Sequence, residues 1–347
     1  MTRRSIAVLI LAGCASPFLP SEPRGTPEAV FDVYWSDFDA YYSFFPDKRV
    51  NWDSVRAVYR PRVNANTPNG ELFSTLVAMA EGLQDGHITL YTPFRTWEYD
   101  GWRTRSPSNY FPEAVTRRLP SGGLALPDGK MRAGMVEPRI GYLAIGSFAG
   151  TGFDAAIDRA LETLRDADAL IVDIRSNGGG SDLNSDVVQV RFADRDRVYA
   201  YVQYRNGPSH DDFTPLRAKT LSPAGLLRFT GPIALLTNRG VFSTAEAFTL
   251  AMRALPNVTV IGDTTGGGFG NPVWRELPNG WSFRLSRWRM LDAEKRSFEG
   301  TGVPPDVPLW ITAEDRSDGV DTILEAAVRT LSGQLQAGEA GNRRPGR

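Results

Sequence analysis

Apolar residues recur at helical spacing near the start of the chain, where Val30, Phe31, Tyr34, Phe38, Tyr41, Tyr42 and Phe45 follow Thr26-Pro27-Glu28. That tripeptide is a helix-start signal, with Thr as cap and Pro in the first turn. Trp52, Val55 and Tyr59 share one face of a second short helix that begins near Asn51 and stops at Pro61, and 72–83 reads as a third. Aromatic stripes of this kind are read as core, so the pattern predicts a small N-terminal helical domain over 27–84. Asp85-Gly86 breaks the helical pattern, and 87–91 alternates as a strand does. Residues 92–138, rich in Pro, Arg and Gly, read as hairpins and loops. Short apolar runs then alternate with helical patterns: strand 141–145, helix 153–164, strand 169–174, a helix after Gly180, strand 233–237, helix 244–255 and strand 258–261. A helix over 319–331 closes the series, and 334–347 reads as a disordered tail. Buried strands alternating with helices predict an α/β core over 85–333 with a partly parallel sheet, and the strand ends are where a site belongs.

Composition narrows the function classes. A chain of 347 residues with 41% hydrophobic content can bury a sizeable core. Its 39 basic and 40 acidic residues nearly cancel, which gives no support to nucleic acid as a partner. The lysines are Lys48, Lys130, Lys219 and Lys295, and the histidines are His87 and His210, so few side chains can serve as a neutral-pH base. His210, beside Asp211 and Asp212, reads as a solvated loop residue.

The single cysteine, Cys14, rules out an internal disulfide framework and a cysteine-based metal cluster, and no metal or organic cofactor is expected. Arg3 and Arg4 precede an apolar run over 6–11, and Leu11-Ala12-Gly13-Cys14 follows. Residues 1–13 therefore read as a signal peptide and the last four as a bacterial lipobox, with Cys14 lipidated and 14–26 as tether. The expectation is a body anchored by lipid in the bacterial cell envelope, facing the periplasm or exterior. The competing reading is an ordinary secretory signal with an incidental cysteine.

Two stretches carry candidate chemistry. In 231–248 a buried-looking strand ends in Asn238-Arg239-Gly240, and Ser243 stands where the next helix begins. Ser243 is either a helix cap or a nucleophile beside free backbone N–H groups. In 173–180, Asp-Ile-Arg-Ser-Asn-Gly-Gly-Gly follows another buried strand and opens a helix, so Asn177, Gly178, Gly179 and Gly180 form either a tight turn or an anion cradle that contacts substrate. No Gly-Lys-Ser/Thr follows, and the spacing is not that of a dinucleotide fingerprint, which weakens a phosphate reading. Acyl chemistry needs a nucleophile and two donors at the future oxyanion, and the amides of Gly179 and Thr244 are the candidates.

Taken together, LQDGH at 83–87, DIRSNGGG at 173–180, TNRGVFSTAE at 237–246 and FEGTGVPPDV at 298–307 resemble the S41 family of serine peptidases, the C-terminal processing and tricorn-like enzymes, over about 27–330. The resemblance implies a ClpP/crotonase-like core, a peptide or protein substrate, Ser243 as nucleophile and an oxyanion hole from the glycines and the amide after Ser243. The processing branch uses a lysine base in a Gly-Lys-Gly element, and the matching position here is Gly268. The tricorn-like branch uses a histidine that His87 matches, with a hydroxyl residue beside it and a Glu that Glu299 matches. Gly86 and Ile88 flank His87 without a hydroxyl, so Glu299 is expected to reach His87 directly or through Thr89, or Asp85 to serve instead. The span between His87 and Gly141 is too short for the PDZ domain that many relatives carry. Substrate selection then falls to 92–138 and a groove near Trp274 and Trp281, both favoured as packing residues. Two other function classes stay open: a catalytically inactive ligand-binding lipoprotein of this fold, and a crotonase-type acyl-CoA enzyme, against which the secretory signal argues.

Overall fold

The computed structural model describes residues 25–104, 106–119, 123–126 and 129–342, so the expected signal peptide, Cys14 and nearly all of the tether lie outside the described residues. A seven-stranded sheet runs in the order Val307–Pro308, Val258–Gly262, Ile233–Thr237, Ala169–Asp173, Ile140–Ile145, Met131–Glu137, Leu124–Ala125. The first five of these strands are mutually parallel and the last two join antiparallel. The two central parallel strands, Ile233–Thr237 and Ala169–Asp173, are largely apolar and buried along their whole length because both faces are covered. Leu170, Val172, Ile233 and Leu235 face one apolar cluster, and Ala169, Ile171, Ala234 and Leu236 face the other. That is the period-two alternation of a strand buried on both sides.

On the first face lie helices Phe153–Thr163 and Thr244–Arg253, through Ile157, Ala160, Ala245, Phe248 and Met252. On the second lies helix Thr322–Asn342, through Ile323, Leu324, Ala327 and Leu331. The helix runs past the point where the sequence suggested disorder. Leu335 packs against the second cluster and Glu339 pairs with Arg139, which gives residues 334–342 the contacts that their composition did not promise.

A four-stranded antiparallel sheet in the order Pro272–Glu276, Ser282–Ser286, Thr89–Tyr91, Thr96–Glu98 joins the N-terminal helices to the core. Helix Pro27–Tyr41 lays Tyr34 and Phe38 on Phe283, with ring centroids 4.8 and 5.6 Å apart. Asp37 pairs with Arg275 at 2.8 Å. The helices of 27–84 therefore share one apolar cluster with the α/β core. Between 92 and 138 the described residues form strand Thr96–Glu98, short helices Gly101–Thr104 and Pro112–Arg118, and strands leading into the large sheet. His210 is not simply solvated: its Nε2 lies 2.8 Å from Asp39 and its ring stacks on Phe45 at 4.0 Å. Among the described residues no helix is long and apolar enough to cross a membrane.

Candidate active site

Strand Ile233–Thr237 ends in the middle of the sheet, and the chain must turn sharply to enter helix Thr244–Arg253. Ser243 takes the turn at φ 59°, ψ −127°, a region that costs a non-glycine residue about 1–3 kcal/mol and persists only when its surroundings enforce it. The enforcement is visible. The amide of Phe242 donates to the Asn177 carbonyl at 3.0 Å, and the amide of Gly266 donates to the Val241 carbonyl at 2.7 Å. The buried Glu246 carboxylate accepts from the Ser243 amide at 3.2 Å, from the Thr265 hydroxyl at 2.6 Å, and from the Gly267 and Gly268 amides at 2.7 and 2.6 Å. Desolvation pushes the Glu246 carboxyl up to about 7, opposed by these donors.

Held this way, with Glu246 closing a capping box, the Ser243 hydroxyl also faces the histidine. Its Oγ lies 2.9 Å from His87 Nε2. His87 comes from the turn before strand Thr89–Tyr91, is 5% exposed, and packs its ring 4.8 Å from that of Phe242. Burial is the main cause that lowers its pKa to about 4; Arg284 and Lys48 add to the effect and Asp85 opposes it. The ring is therefore neutral at pH 7, the form that can accept a proton.

Asp85 is the carboxylate nearest the other ring nitrogen. Its Oδ1 accepts the backbone N–H of His87 at 2.8 Å and stands 3.8 Å from Nδ1, while Ser286 donates to its Oδ2 at 2.8 Å. Glu299 is engaged elsewhere: it pairs with Lys48 at 2.9 Å and accepts the Phe269 amide at 2.8 Å, and burial raises its pKa to about 8. Thr89 does not bridge to His87 either, since its hydroxyl accepts from Arg284 at 2.7 Å. Of the three groups expected to orient the histidine, Asp85 comes nearest, but His87 Nδ1 has no hydrogen-bond partner among the described residues, and Glu299 and Thr89 are tied elsewhere.

The glycine strip closes the opposite side. A Cβ on Gly179 would lie 2.9 Å from Ser243 Cβ and 3.0 Å from the Thr244 nitrogen, so only glycine fits. The Gly179 amide, however, already donates to Asn177 Oδ1 at 2.9 Å. Asn177 is itself fully buried and spends its Nδ2 on the Ile145 carbonyl at 2.9 Å, which makes it a brace for the turn rather than a substrate contact. The amides of Gly180 and Thr244 meet no protein acceptor among the described residues, and the Thr244 hydroxyl lies 2.9 Å from the Gly180 carbonyl. Gly178, Gly180, Ser243, Thr244 and His87 line one cleft of about 650 Å³, together with Phe269, Trp288 and Met290. Trp281 packs at 3% exposure as expected, whereas Trp274 is 60% exposed and does not. Among the described residues no cluster of His, Cys, Asp or Glu is placed to hold a metal ion.

The family profile described as Peptidase family S41 matches residues 139–309, and that of the Tricorn protease C1 domain matches 23–81. A solved structure from Parabacteroides merdae ATCC 43184, described as a candidate peptidase, is 38% identical, covers 88% of this chain and 96% of its own, and superposes with a TM-score of 0.82. The chain belongs to peptidase family S41. Carboxy-terminal processing protease CtpA of Bacillus subtilis (strain 168) is 27% identical over 175 residues, which are 50% of this chain and 35% of CtpA. The tricorn protease of Thermoplasma volcanium is 28% identical over 200 residues, 57% of this chain and 18% of that protein. The chain thus spans only about a third or less of the length of these sequence relatives. At Gly268, where the resemblance leads one to expect the lysine of the processing branch, the ring of Phe242 occupies the space that a side chain would need.

Proposed function

We propose that the chain is a serine peptidase that cleaves peptide bonds through an acyl-enzyme on Ser243. The observation that carries this reading is the 2.9 Å contact between Ser243 Oγ and His87 Nε2 at a strained elbow. His87 takes the hydroxyl proton as Oγ attacks the scissile carbonyl, which forms the C–O bond and places a negative charge on the carbonyl oxygen. The Thr244 and Gly180 amides receive that oxyanion, with Gly179 supplying the clearance. Collapse breaks the C–N bond, and His87 returns its proton to the departing amine. Water then repeats the sequence on the ester, and Ser243 is released. Asp85, 3.8 Å from Nδ1, favours the transient imidazolium through its charge. No metal or organic cofactor enters the scheme.

The crotonase-type alternative gives no role to a serine–histidine contact, and an inert ligand carrier has no need of a strained elbow. Ser243→Ala should abolish labelling by a serine-reactive phosphonate and hydrolysis of unstructured peptides while thermal unfolding stays within a few degrees of wild type. Labelling that survives in Ser243→Ala would overturn the assignment. The lipobox pattern supports a further part of the proposal, that Cys14 carries lipid and holds the domain at a bacterial envelope membrane. Incorporation of labelled fatty acid that disappears in Cys14→Ala tests it; incorporation that persists would place the lipid elsewhere.

A further inference from the structure

Six charged or titratable side chains line the catalytic cleft: His87, Glu98, Tyr99, Arg103, Asp182 and Arg284. Glu98 and Arg103 face each other at 3.6 Å. Asp182 pairs with Lys219 at 3.3 Å and lies 2.9 Å from the Thr244 hydroxyl. Arg284 is different. Among the described residues it has no carboxylate partner; its Nη2 donates to the Thr89 hydroxyl, and its buried Nε meets no acceptor.

Its position follows from the sheet. Arg284 is opposite Thr89 in the antiparallel register, and it lines the same cleft as His87, which sits in the turn before that strand. On its other side it is opposite Trp274, whose ring lies 5.7 Å from the guanidinium, and the ring of Tyr91 lies at 5.9 Å. The two rings meet at 4.9 Å. They hold the planar guanidinium at the cleft wall, and Trp274 leaves one face of the arrangement open to solvent at 60% exposure.

We propose that Arg284 is the specificity residue of the cleft and binds a carboxylate of the peptide substrate, either a free C-terminus or an acidic side chain near the scissile bond. This rests on the reading of Ser243 as nucleophile. A guanidinium forms two parallel hydrogen bonds to a carboxylate, and one already held by aromatic rings loses little freedom on doing so. A neutral peptide offers the guanidinium no anionic partner in the cleft, whereas a carboxylate supplies a charge-assisted one. The cleft therefore discriminates by charge.

The test uses one fluorogenic peptide made in three forms: with a free C-terminus, with an amidated C-terminus, and amidated with a Glu scanned through the positions flanking the scissile bond. The wild-type protein should cleave at least one carboxylate-bearing form about tenfold or more faster in kcat/KM than the neutral amide. Which form wins separates the C-terminal from the side-chain source. In Arg284→Gln the ratio within that enzyme should fall to about one, so any effect on the acidity of His87 cancels. The same peptides measured by fluorescence anisotropy against Ser243→Ala report binding without turnover, which keeps the subsite testable even if the peptidase reading fails. Equal treatment of all three forms by the wild type, in turnover and in binding, overturns the proposal. So does a preference that survives in Arg284→Gln.

Discussion

The ring of Phe242 closes the space beside Gly268: a Cβ at position 268 would stand 2.1 Å from both Cε2 and Cζ of the ring. The same ring lies 4.8 Å from His87. Two facts that look separate in the sequence, a missing lysine and a matching histidine, are thus one packing arrangement. A base reaching Ser243 from position 268 has no room, and the residue that removes the room supports the base that arrives from position 87.

This arrangement gives a prediction for the pair. Gly268→Ala should overpack the site and destabilise the protein by about 1–3 kcal/mol, and Phe242→Ala should destabilise it by leaving a cavity beside His87. The double variant Phe242→Ala/Gly268→Ala should be more stable than the sum of the two losses, because the new methyl group enters the vacated space. Chemical denaturation of the four proteins reads the coupling. Strict additivity would show that the ring and Gly268 do not compete for the same volume.

The group that orients His87 can be separated by a second comparison. Asp85 touches the histidine through its backbone N–H and faces Nδ1 at 3.8 Å, whereas Glu299 is spent on Lys48 and the Phe269 amide. Asp85→Asn should therefore lower kcat by at least about tenfold with little change in KM, and Glu299→Gln should cost less in kcat than in stability. Steady-state kinetics together with melting curves decide it. A larger kcat loss in Glu299→Gln than in Asp85→Asn would restore the Glu299 role that family resemblance implies.

Residue types alone brought the site a long way and then ran out. The strand and helix that flank Ser243 were legible because 233–237 is apolar and is followed by a turn, and that pattern depends on local chemistry. The glycine cradle was legible for the same reason. The assignment of Asn177 to substrate was not, because whether its amide faces a ligand or the backbone of Ile145 depends on a strand some thirty residues earlier in the chain. Arg284 and Phe242 carried no signal of their own: an arginine in a strand and a phenylalanine before a serine are ordinary until sheet register and packing bring them beside His87. The tail over 334–342 was misjudged because its polar composition conceals one partly buried apolar contact, Leu335.

The acidity of His87 is open to direct measurement. The buried ring resists protonation, so its pKa falls from 6.5 to about 4. The unfolded chain takes up that proton near 6.5, so the stability that His87 contributes is present above pH 6.5 and is lost as the pH falls through about 4. The chain has two histidines, and His210→Gln leaves one imidazole whose NMR titration reports His87 alone. A midpoint near pH 4 is expected, with the ring a competent base throughout the neutral range. A midpoint at 6.5 would mean that the ring is hydrated and the site more open than its 5% exposure indicates.

Glu246 supplies the sharpest test of how the elbow is held. Its two oxygens take four donors, the Thr265 hydroxyl and Gly267 amide on one and the Ser243 and Gly268 amides on the other. Glutamine preserves shape but has one oxygen, so its NH2 group must face either two amides or an amide and a hydroxyl that have lost their acceptor. Unmet buried donors cost about 1–3 kcal/mol each, so Glu246→Gln should lower the melting temperature by several degrees. The loss should not stop at stability. Ser243 keeps its positive φ only while its amide and the 265–268 loop are pinned, and a relaxed elbow swings Oγ away from His87. Phosphonate labelling of Glu246→Gln should therefore slow by about tenfold or more at a temperature where the variant is still fully folded. Glu246→Asp, which keeps both oxygens but shortens the reach, should fall between the two. A folded Glu246→Gln that is labelled at the wild-type rate would mean that packing alone sets the geometry of Ser243.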